Sequence, residues 1–143
     1  MLNEDKQPFG LTGEGWEIAI ATPSAFAGGT TDARGDKDGA KVSMTLFTVT
    51  GDVLVRIFGV CTTDLAGATG TVEVGVAGNT AGLIALTTAT DIDANDIWLA
   101  AAPAVVGARV LSDVLGPYIV VNGLDILERV ATADITSGQI YYI

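Results

Sequence analysis

Residues 46–61 read LFTVTGDVLVRIFGVC, and this stretch decides the fold class of the chain. It is rich in β-branched and aromatic residues and is interrupted only at Thr50-Gly51-Asp52. β-branched side chains are restricted at χ1 and pack well on a pleated surface, so the stretch favours strand over helix. It predicts strands from Lys41 to Thr50 and from Asp52 to Cys61. Gly51-Asp52 between them is either a tight turn or a bend within one long strand.

The second of these strands is apolar on both faces. Alternation divides its side chains between two sets, Val53, Val55 and Ile57 on one face and Leu54, Arg56 and Phe58 on the other. A strand that is apolar on both faces needs cover on both sides. We therefore expect one face to meet a second sheet and the other to turn partly toward a neighbouring subunit. Arg56 would then need an acidic partner or a wet interface.

Short strands recur along the rest of the chain, separated by Gly, Asn and Asp. They are predicted at Trp16 to Thr22, Thr71 to Ala77, Leu83 to Thr87, Val105 to Leu111, Tyr118 to Val121, Leu124 to Ala131 and Gln139 to Ile143. Val121-Asn122-Gly123-Leu124 predicts a hairpin, and Asp91 to Ala102 either a short helix or an irregular crossing. The pattern predicts one all-β domain, a jelly-roll-like β-sandwich over residues 16–143, preceded by an extended N-terminal arm over residues 1–15.

The composition restricts the possible partners. Hydrophobic residues make up 49% of the 143 residues, charged residues only 17%, and the net charge is −10. Phosphate binding needs clustered Lys and Arg, so neither nucleic acid nor an anionic membrane is expected as a partner. High apolar content with few charges favours a homo-oligomer over the alternative of a monomer with a thick core. The polar start MLNEDKQPFG does not resemble a signal peptide, so synthesis in the cytoplasm is expected.

The sequence holds no recognisable catalytic or cofactor site. There is no histidine, which removes Ser-His and Cys-His nucleophile systems. Cys61 ends an apolar run and is interpreted as a small buried core residue. The acidic segment Asp91 to Asp96 fails as an EF-hand because position six is Asp96 and position twelve is Ala102; whether it binds a cation stays open. We therefore expect a protein that is not an enzyme and needs no metal or cofactor.

Candidate partner-binding residues concentrate in one polar loop. The stretch from Thr30 to Lys41 holds three of the seven basic residues with three acids interleaved, and is interpreted as a solvated loop that makes salt bridges to a partner. Its candidates are Arg34, Asp36 and Lys37, to which Arg56 and Trp16 are added. Arg34-Gly35-Asp36 also matches an integrin-binding tripeptide, but three residues are a weak signal and the Gly suits a plain turn.

Three phrases of the sequence carry a resemblance to a known family. They are RGDKDG at 34–39, the long stretch from Leu46 to Trp98, and ATADITSGQI at 131–140. Together they resemble a family of small structural proteins of tailed bacteriophages, encoded beside the capsid genes. The resemblance covers residues 34–143 and carries no site residues.

This resemblance implies a virion component made in the host cytoplasm and placed on the outer capsid surface. The first interpretation is a head decoration (cement) protein of jelly-roll type, a homotrimer that binds the major capsid protein. The alternatives are a tail, neck or head-fibre component, and a carbohydrate-binding β-sandwich module with Trp16 or Trp98 as its platform.

Overall fold

The computed structural model describes residues 18–99, 104–105, 118–120 and 123–143, and this part of the chain is all-β. Strands make up 47% of it, and it contains no helix of seven or more residues, which confirms the predicted fold class. The strands are β1 (Ser43–Phe47), β2 (Val53–Val55), β3 (Gly59–Ala66), β4 (Thr71–Val76), β5 (Asn79–Thr88), β6 (Asp96–Trp98), β7 (Ala104–Val105), β8 (Tyr118–Val120), β9 (Ile126–Ala131) and β10 (Ser137–Tyr142). Short 3-10 turns lie at Gly39–Lys41 and Ala89–Asp91.

Two antiparallel four-stranded sheets form the body of the protein. The first, here the β4 sheet, has the order β1-β9-β4-β5; the second, the β3 sheet, has the order β10-β3-β6-β7. Strands β2 and β8 form a separate two-stranded ladder. This arrangement is consistent with the predicted β-sandwich, while the jelly-roll connectivity and the arm over residues 1–15 stay predictions.

One apolar core joins the two sheets. It contains Val72, Val74 and Val130 from the β4 sheet together with Trp98 and Tyr142 from the β3 sheet. The alternation of β9 and β10 explains this, because every second residue of each strand is buried. The Trp98 indole nitrogen also donates to the Thr87 hydroxyl at 2.8 Å, so a polar contact crosses the core as well.

The stretch 46–61 does not form one long strand or one strand pair. It ends β1 in the β4 sheet, supplies all of β2 in the two-stranded ladder, and begins β3 in the β3 sheet. The chain thus passes between three sheets within sixteen residues. Each of these sheets needs apolar side chains on the face that it buries, and this explains why the whole stretch is apolar.

One of the two alternatives for Asp91 to Ala102 is wrong, and so is the predicted hairpin. In the described residues 91–99 the helix is not formed, because a 3-10 turn is followed by strand β6. The flanks of residues 121–124 do not make a hairpin, since β8 pairs with β2 whereas β9 pairs with β1 and β4.

Within the described part of the chain, no helix has the length and apolar character needed to cross a membrane.

Candidate functional site

Arg34 is buried, although the composition of its loop predicts an exposed side chain. A loop rich in glycine and charge predicts a solvated side chain, yet Arg34 is only 3% exposed. The prediction of a solvated loop is therefore wrong for Arg34 and correct for Lys37 and Asp38, which are exposed. The guanidinium offers no surface to a partner, and the same burial leaves the Arg-Gly-Asp tripeptide without an accessible arginine.

The buried guanidinium is bound on every side. Its Nε donates to Oε1 of Glu128 at 2.8 Å and one terminal nitrogen donates to Oε2 at 2.5 Å. The other terminal nitrogen donates to the Ser24 carbonyl at 2.6 Å, and a longer bond of 3.3 Å reaches the Ile140 carbonyl. The cation also lies 3.9 Å from the centre of the Phe26 ring. A bidentate pair with stacking suits arginine and offsets the cost of burying its charge.

This ion pair connects the two sheets through the core. Glu128 lies on the inward face of β9, between the buried Ile126 and Val130. Tyr142 of β10 donates its hydroxyl to Oε2 of Glu128 from the opposite sheet. The carboxylate, which lies on one sheet, thus receives donors from a loop and from the opposite sheet, and we call Arg34, Glu128 and Tyr142 the buried triad.

Burial and charge act on the pKa values of the triad in different ways. Burial lowers the pKa of Arg34, but the hydrogen bond and the negative charge of Glu128 outweigh burial, so this pKa is raised. Burial raises the pKa of Tyr142 well above its ordinary value, and the charge of Glu128 raises it further. At neutral pH the triad therefore contains a guanidinium and a neutral phenol.

Arg34 also closes a gap in the edge of the β3 sheet. Residues 21–28 run along the free side of β10 through three contacts, Ala21 with Tyr142, the Phe26 amide with the Gly138 carbonyl, and the Gly28 amide with the Ile135 carbonyl. Pro23 lies between the contacts of Ala21 and Phe26, and it has no N–H to donate. There the Gln139 side chain binds the Pro23 carbonyl at 2.8 Å, and the Arg34 guanidinium binds both Ser24 and Ile140.

The loop after Arg34 is held in one shape by its backbone. Gly35 has a φ of +102°, and a Cβ at this position would lie 2.2 Å from the Ile135 carbonyl oxygen, so only glycine fits. Side-chain oxygens of two aspartates close the turns that follow: the Ala40 amide donates to Asp32 at 2.9 Å, and the Asp38 amide donates to Asp36 at 3.0 Å. These contacts account for two of the three interleaved acids, Asp32 and Asp36, as turn-forming residues.

Lys37 is the exposed cation at the tip of this loop. Its backbone amide donates to Asp134 at 3.0 Å, which fixes the tip to the segment before β10. Its ammonium binds the neighbouring Asp38 carboxylate, and this hydrogen bond raises the pKa of Lys37. The tip thus presents a lysine and an aspartate to solvent on a fixed backbone.

The remaining candidates lie elsewhere. Arg56 is exposed between β2 and β3, close to Phe58, which pairs with Ile143 beyond the end of β10. Lys37 is bound to Asp134, before the start of β10, and the six residues of β10 span roughly 20 Å. The structure therefore does not bring Arg56 and Lys37 together. Trp16 lies outside the described residues.

The outer surface of the β3 sheet carries a row of apolar side chains. Tyr141 of β10 lies opposite Val60 of β3, and Val60 lies opposite Ile97 of β6. Directly opposed residues in antiparallel strands project to the same face. Because the adjacent Tyr142 and Trp98 are buried in the core, this row faces away from the core.

A second row lies beside the first. Phe58 and Ile143 exchange two backbone hydrogen bonds, each of 3.1 Å, which extends the pairing of β3 with β10 by one residue. The antiparallel bridge between Ala21 and Tyr142 places Ile20 opposite Ile143. Phe58 and Ile143 therefore project outward with Ile20 at their side.

We call this surface the outer apolar face; it comprises Ile18, Ile20, Phe58, Val60, Ile97, Tyr141 and Ile143. Ile18 is 75% exposed and Ile20 is 63% exposed, and the other five are partly exposed. Arg56 lies two residues before Phe58, at the rim of the face. Among residues 18–99 and 123–143, Arg56 has no ion-pair partner.

Trp98 cannot serve as a sugar-binding platform. Its side chain is fully buried, it donates to Thr87, and its ring lies 6.2 Å from that of Tyr142 at a tilted angle of 59°. A platform needs an exposed ring face. The structure thus assigns Trp98 to the core, and the alternative of a carbohydrate-binding module loses one of its two proposed platforms.

The acidic segment and the cysteine both have structural roles. Asp96 is buried and accepts a hydrogen bond from the Asp93 amide at 3.1 Å, while Asp64 accepts one from the Ala94 amide at 2.7 Å. In the part of the chain that the structure describes, no group of three or more acidic or sulfur side chains is placed to hold a metal ion. Cys61 is buried, as expected, and burial raises its pKa to about 11.

Sequence reasoning missed Glu128, although a signal for it exists. Glu128 occupies the inward set of β9 with Ile126 and Val130, so alternation alone places a carboxylate in the core. A buried carboxylate requires a cation or several donors. The identity of that cation, Arg34, could not be deduced from this signal, because 94 residues separate the pair.

Comparison with protein families, with curated proteins and with solved structures finds no match for this chain. The arrangement of its own residues is therefore the basis for a function. Two surfaces stand out, the anchored tip around Lys37 and the outer apolar face.

Proposed function

We propose that the chain is a head decoration (cement) protein of a tailed bacteriophage, which binds the outside of the assembled capsid and stabilises it. The observation that carries the proposal is the polar loop anchored by the buried triad. It presents Lys37 and Asp38 at its tip while Arg34 and Gly35 hold its base. The same loop contains RGDKDG, the first phrase of the family resemblance.

An anchored tip suits a protein whose mechanism is binding alone. Ordering a flexible loop on binding costs free energy, and a loop that is already fixed avoids most of this cost. Lys37 would donate to carboxylates or carbonyls of the capsid subunits, and Asp38 would accept from their donors. Several such contacts on a repeating lattice add to a durable attachment, even where each one is weak.

The charge of the chain supports an outer position on the shell. The net charge of −10 disfavours contact with packaged DNA, whose phosphates repel an acidic protein. Packaged DNA presses the shell outward, so contacts that bridge neighbouring capsid subunits oppose their separation. An acidic protein attached from outside can supply such contacts without binding the genome.

The direct test mixes the purified protein with empty capsids of its phage and measures co-sedimentation over a range of protein concentrations. We expect saturable binding with a fixed number of copies per capsid. Isolated tails serve as the comparison, because binding to tails alone would favour the tail or neck interpretation. No saturable binding to capsids would overturn the proposal.

A pair of variants locates the contact. Lys37→Glu reverses the charge at the tip, and we expect it to weaken capsid binding by about ten-fold, the effect of losing one charged contact. Lys41→Glu is the matched control, because Lys41 is also exposed but lies where the chain enters β1. Equal binding by both variants and the natural chain would show that the tip is not the contact.

A further inference from the structure

We infer that the outer apolar face is the surface through which two copies of this chain associate. The inference concerns contacts between copies and goes beyond the proposed attachment to a capsid. It rests on the exposure of Ile18 and Ile20, on the register that places Ile20 beside partly exposed apolar residues, and on the cation Arg56 at the rim.

The face is continuous across four extended segments. The row Tyr141, Val60 and Ile97 crosses β10, β3 and β6, and Ile20 adds the segment beside β10. The partly buried apolar residues that pack against the core are a different set, Ala21, Leu46, Phe47, Val49 and Val55. The side chains of the outer apolar face thus do not belong to the core cluster, and the core formed by the described residues does not cover them.

The size of the face suits the centre of an interface. Strands about 4.8 Å apart and residues about 3.3 Å apart give it an area of roughly 200–300 Å². A stable association buries about 800 Å² on each partner, with an apolar centre and a polar rim. The outer apolar face supplies such a centre, and the exposed Arg56 belongs to the rim.

Charge complementarity favours a second copy as the partner. Within the described residues Arg56 has no ion-pair partner, whereas Arg34, Lys37 and Arg129 each bind a carboxylate. The chain carries seventeen acidic residues against seven basic ones, so another copy offers carboxylates in excess. A cation at the rim of an apolar patch fits an acidic surface of this kind.

The test measures the mass of the protein in solution by light scattering and sedimentation over a wide concentration range. We expect a mass of at least twice the 14.6 kDa of one chain. Ile20→Asp places a carboxylate in the apolar centre and should weaken association by at least about a hundred-fold. Arg56→Ala should weaken it by about two- to ten-fold.

The matched control is Leu86→Asp. Leu86 is 46% exposed on β5, the edge of the other sheet, so the same change of side chain falls outside the outer apolar face. We expect Leu86→Asp to associate like the natural chain. Both positions are exposed, so at a concentration low enough to keep the protein monomeric both variants should unfold at the same temperature as the natural chain, and a melting curve verifies this.

Two results would overturn the inference directly: a natural chain that stays monomeric at every concentration, and equal association by Ile20→Asp and Leu86→Asp. A third would overturn it by assigning the face to the capsid: Ile20→Asp that keeps the oligomeric mass of the natural chain but no longer binds capsids. Self-association without capsid binding would overturn the proposed function alone, so the two proposals fail independently.

Discussion

Arg34 and Arg56 are both arginines in apolar surroundings, and they differ in the number of partners that the fold provides. Arg34 binds a carboxylate, two carbonyls and an aromatic ring inside the protein. Arg56 is exposed beside Phe58 and has no ion-pair partner in the described part of the chain. The fold provides the partners of the first arginine, whereas the second has no ion-pair partner among the described residues.

The difference shows that composition does not reveal which charge is structural. Arg34 lies in a loop of glycines and acids, the environment expected for a solvated residue. Arg56 lies in the most apolar stretch of the chain, the environment expected for a buried one. Their burial is reversed because pairing across the sandwich determines which side chain is enclosed. Replacing each arginine and its partners therefore tests the comparison directly.

The largest effect is expected from breaking the ion pair of the buried triad. Glu128→Ala leaves the Arg34 guanidinium buried without its carboxylate and should lower the free energy of unfolding by about 3–5 kcal/mol. Urea denaturation measures this change. The double variant Arg34→Met with Glu128→Leu removes both charges and should recover much of the loss. A loss below about 1 kcal/mol for Glu128→Ala would mean that the pair contributes little to stability.

A smaller effect is expected from the third member of the triad. Tyr142→Phe removes the hydroxyl that donates to Glu128 but keeps the ring that packs against Trp98. The expected loss in the free energy of unfolding is about 1.5–3 kcal/mol, the range for a hydrogen bond to a charged group. Tyr141→Phe, on the outer face, is the matched control and should change stability by less than about 0.5 kcal/mol. Equal losses would contradict a special role for the inward tyrosine.

Stability should also fall at alkaline pH. Folding raises the pKa of Tyr142 above 10.0, and that of Cys61 from 9.0 to about 11. Both groups are neutral when protonated, so each contributes fully below its own ordinary pKa, 9.0 for Cys61 and 10.0 for Tyr142. The contribution of Cys61 is lost as the pH rises through about 11, and that of Tyr142 as the pH rises well above 10.0. Urea denaturation at a series of pH values measures this decline. The double variant Cys61→Ala with Tyr142→Phe should show a shallower decline, and an unchanged decline would assign it to other groups.

The smallest effect on stability is expected at Arg56. Arg56→Ala removes an exposed side chain without an ion-pair partner in the described residues, so the free energy of unfolding should stay within about 0.5 kcal/mol. The same variant should still weaken association between copies. Thermal unfolding at a concentration low enough to keep the protein monomeric separates these two effects. A large loss of stability in the monomer would show that Arg56 is structural, like Arg34.

The sequence predicts the fold class and several strands because these depend on local pattern. β4, β9 and β10 each coincide with a run of alternating or β-branched residues, so the bounds of these strands lie close to the predicted ones. The division of residues 46–61 among three sheets could not be predicted. It depends on distant partners such as β8 and β10, which local alternation does not identify.

Part of the local structure around the candidate site follows from the sequence, whereas its role in binding stays a prediction. The loop containing Lys37 was recognised by its charges, and the apolar outward set around Phe58 was recognised by alternation next to Arg56. The burial of Arg34 was missed because its carboxylate lies 94 residues away on another sheet. The exposure of Ile18 and Ile20 was also missed, since a short apolar strand with the sequence WEIAIAT gives no sign of which side remains uncovered.

The segment over residues 21–28 has a consequence for solubility. A free strand at the edge of a sheet is a template on which further chains can add, and such growth leads to fibres. Pro23, which has no N–H, and the Arg34 guanidinium lie where a ladder would otherwise continue beside β10. The ion pair that stabilises one copy therefore also limits how copies can join. Without it, the edge beside β10 would be open to the addition of further chains.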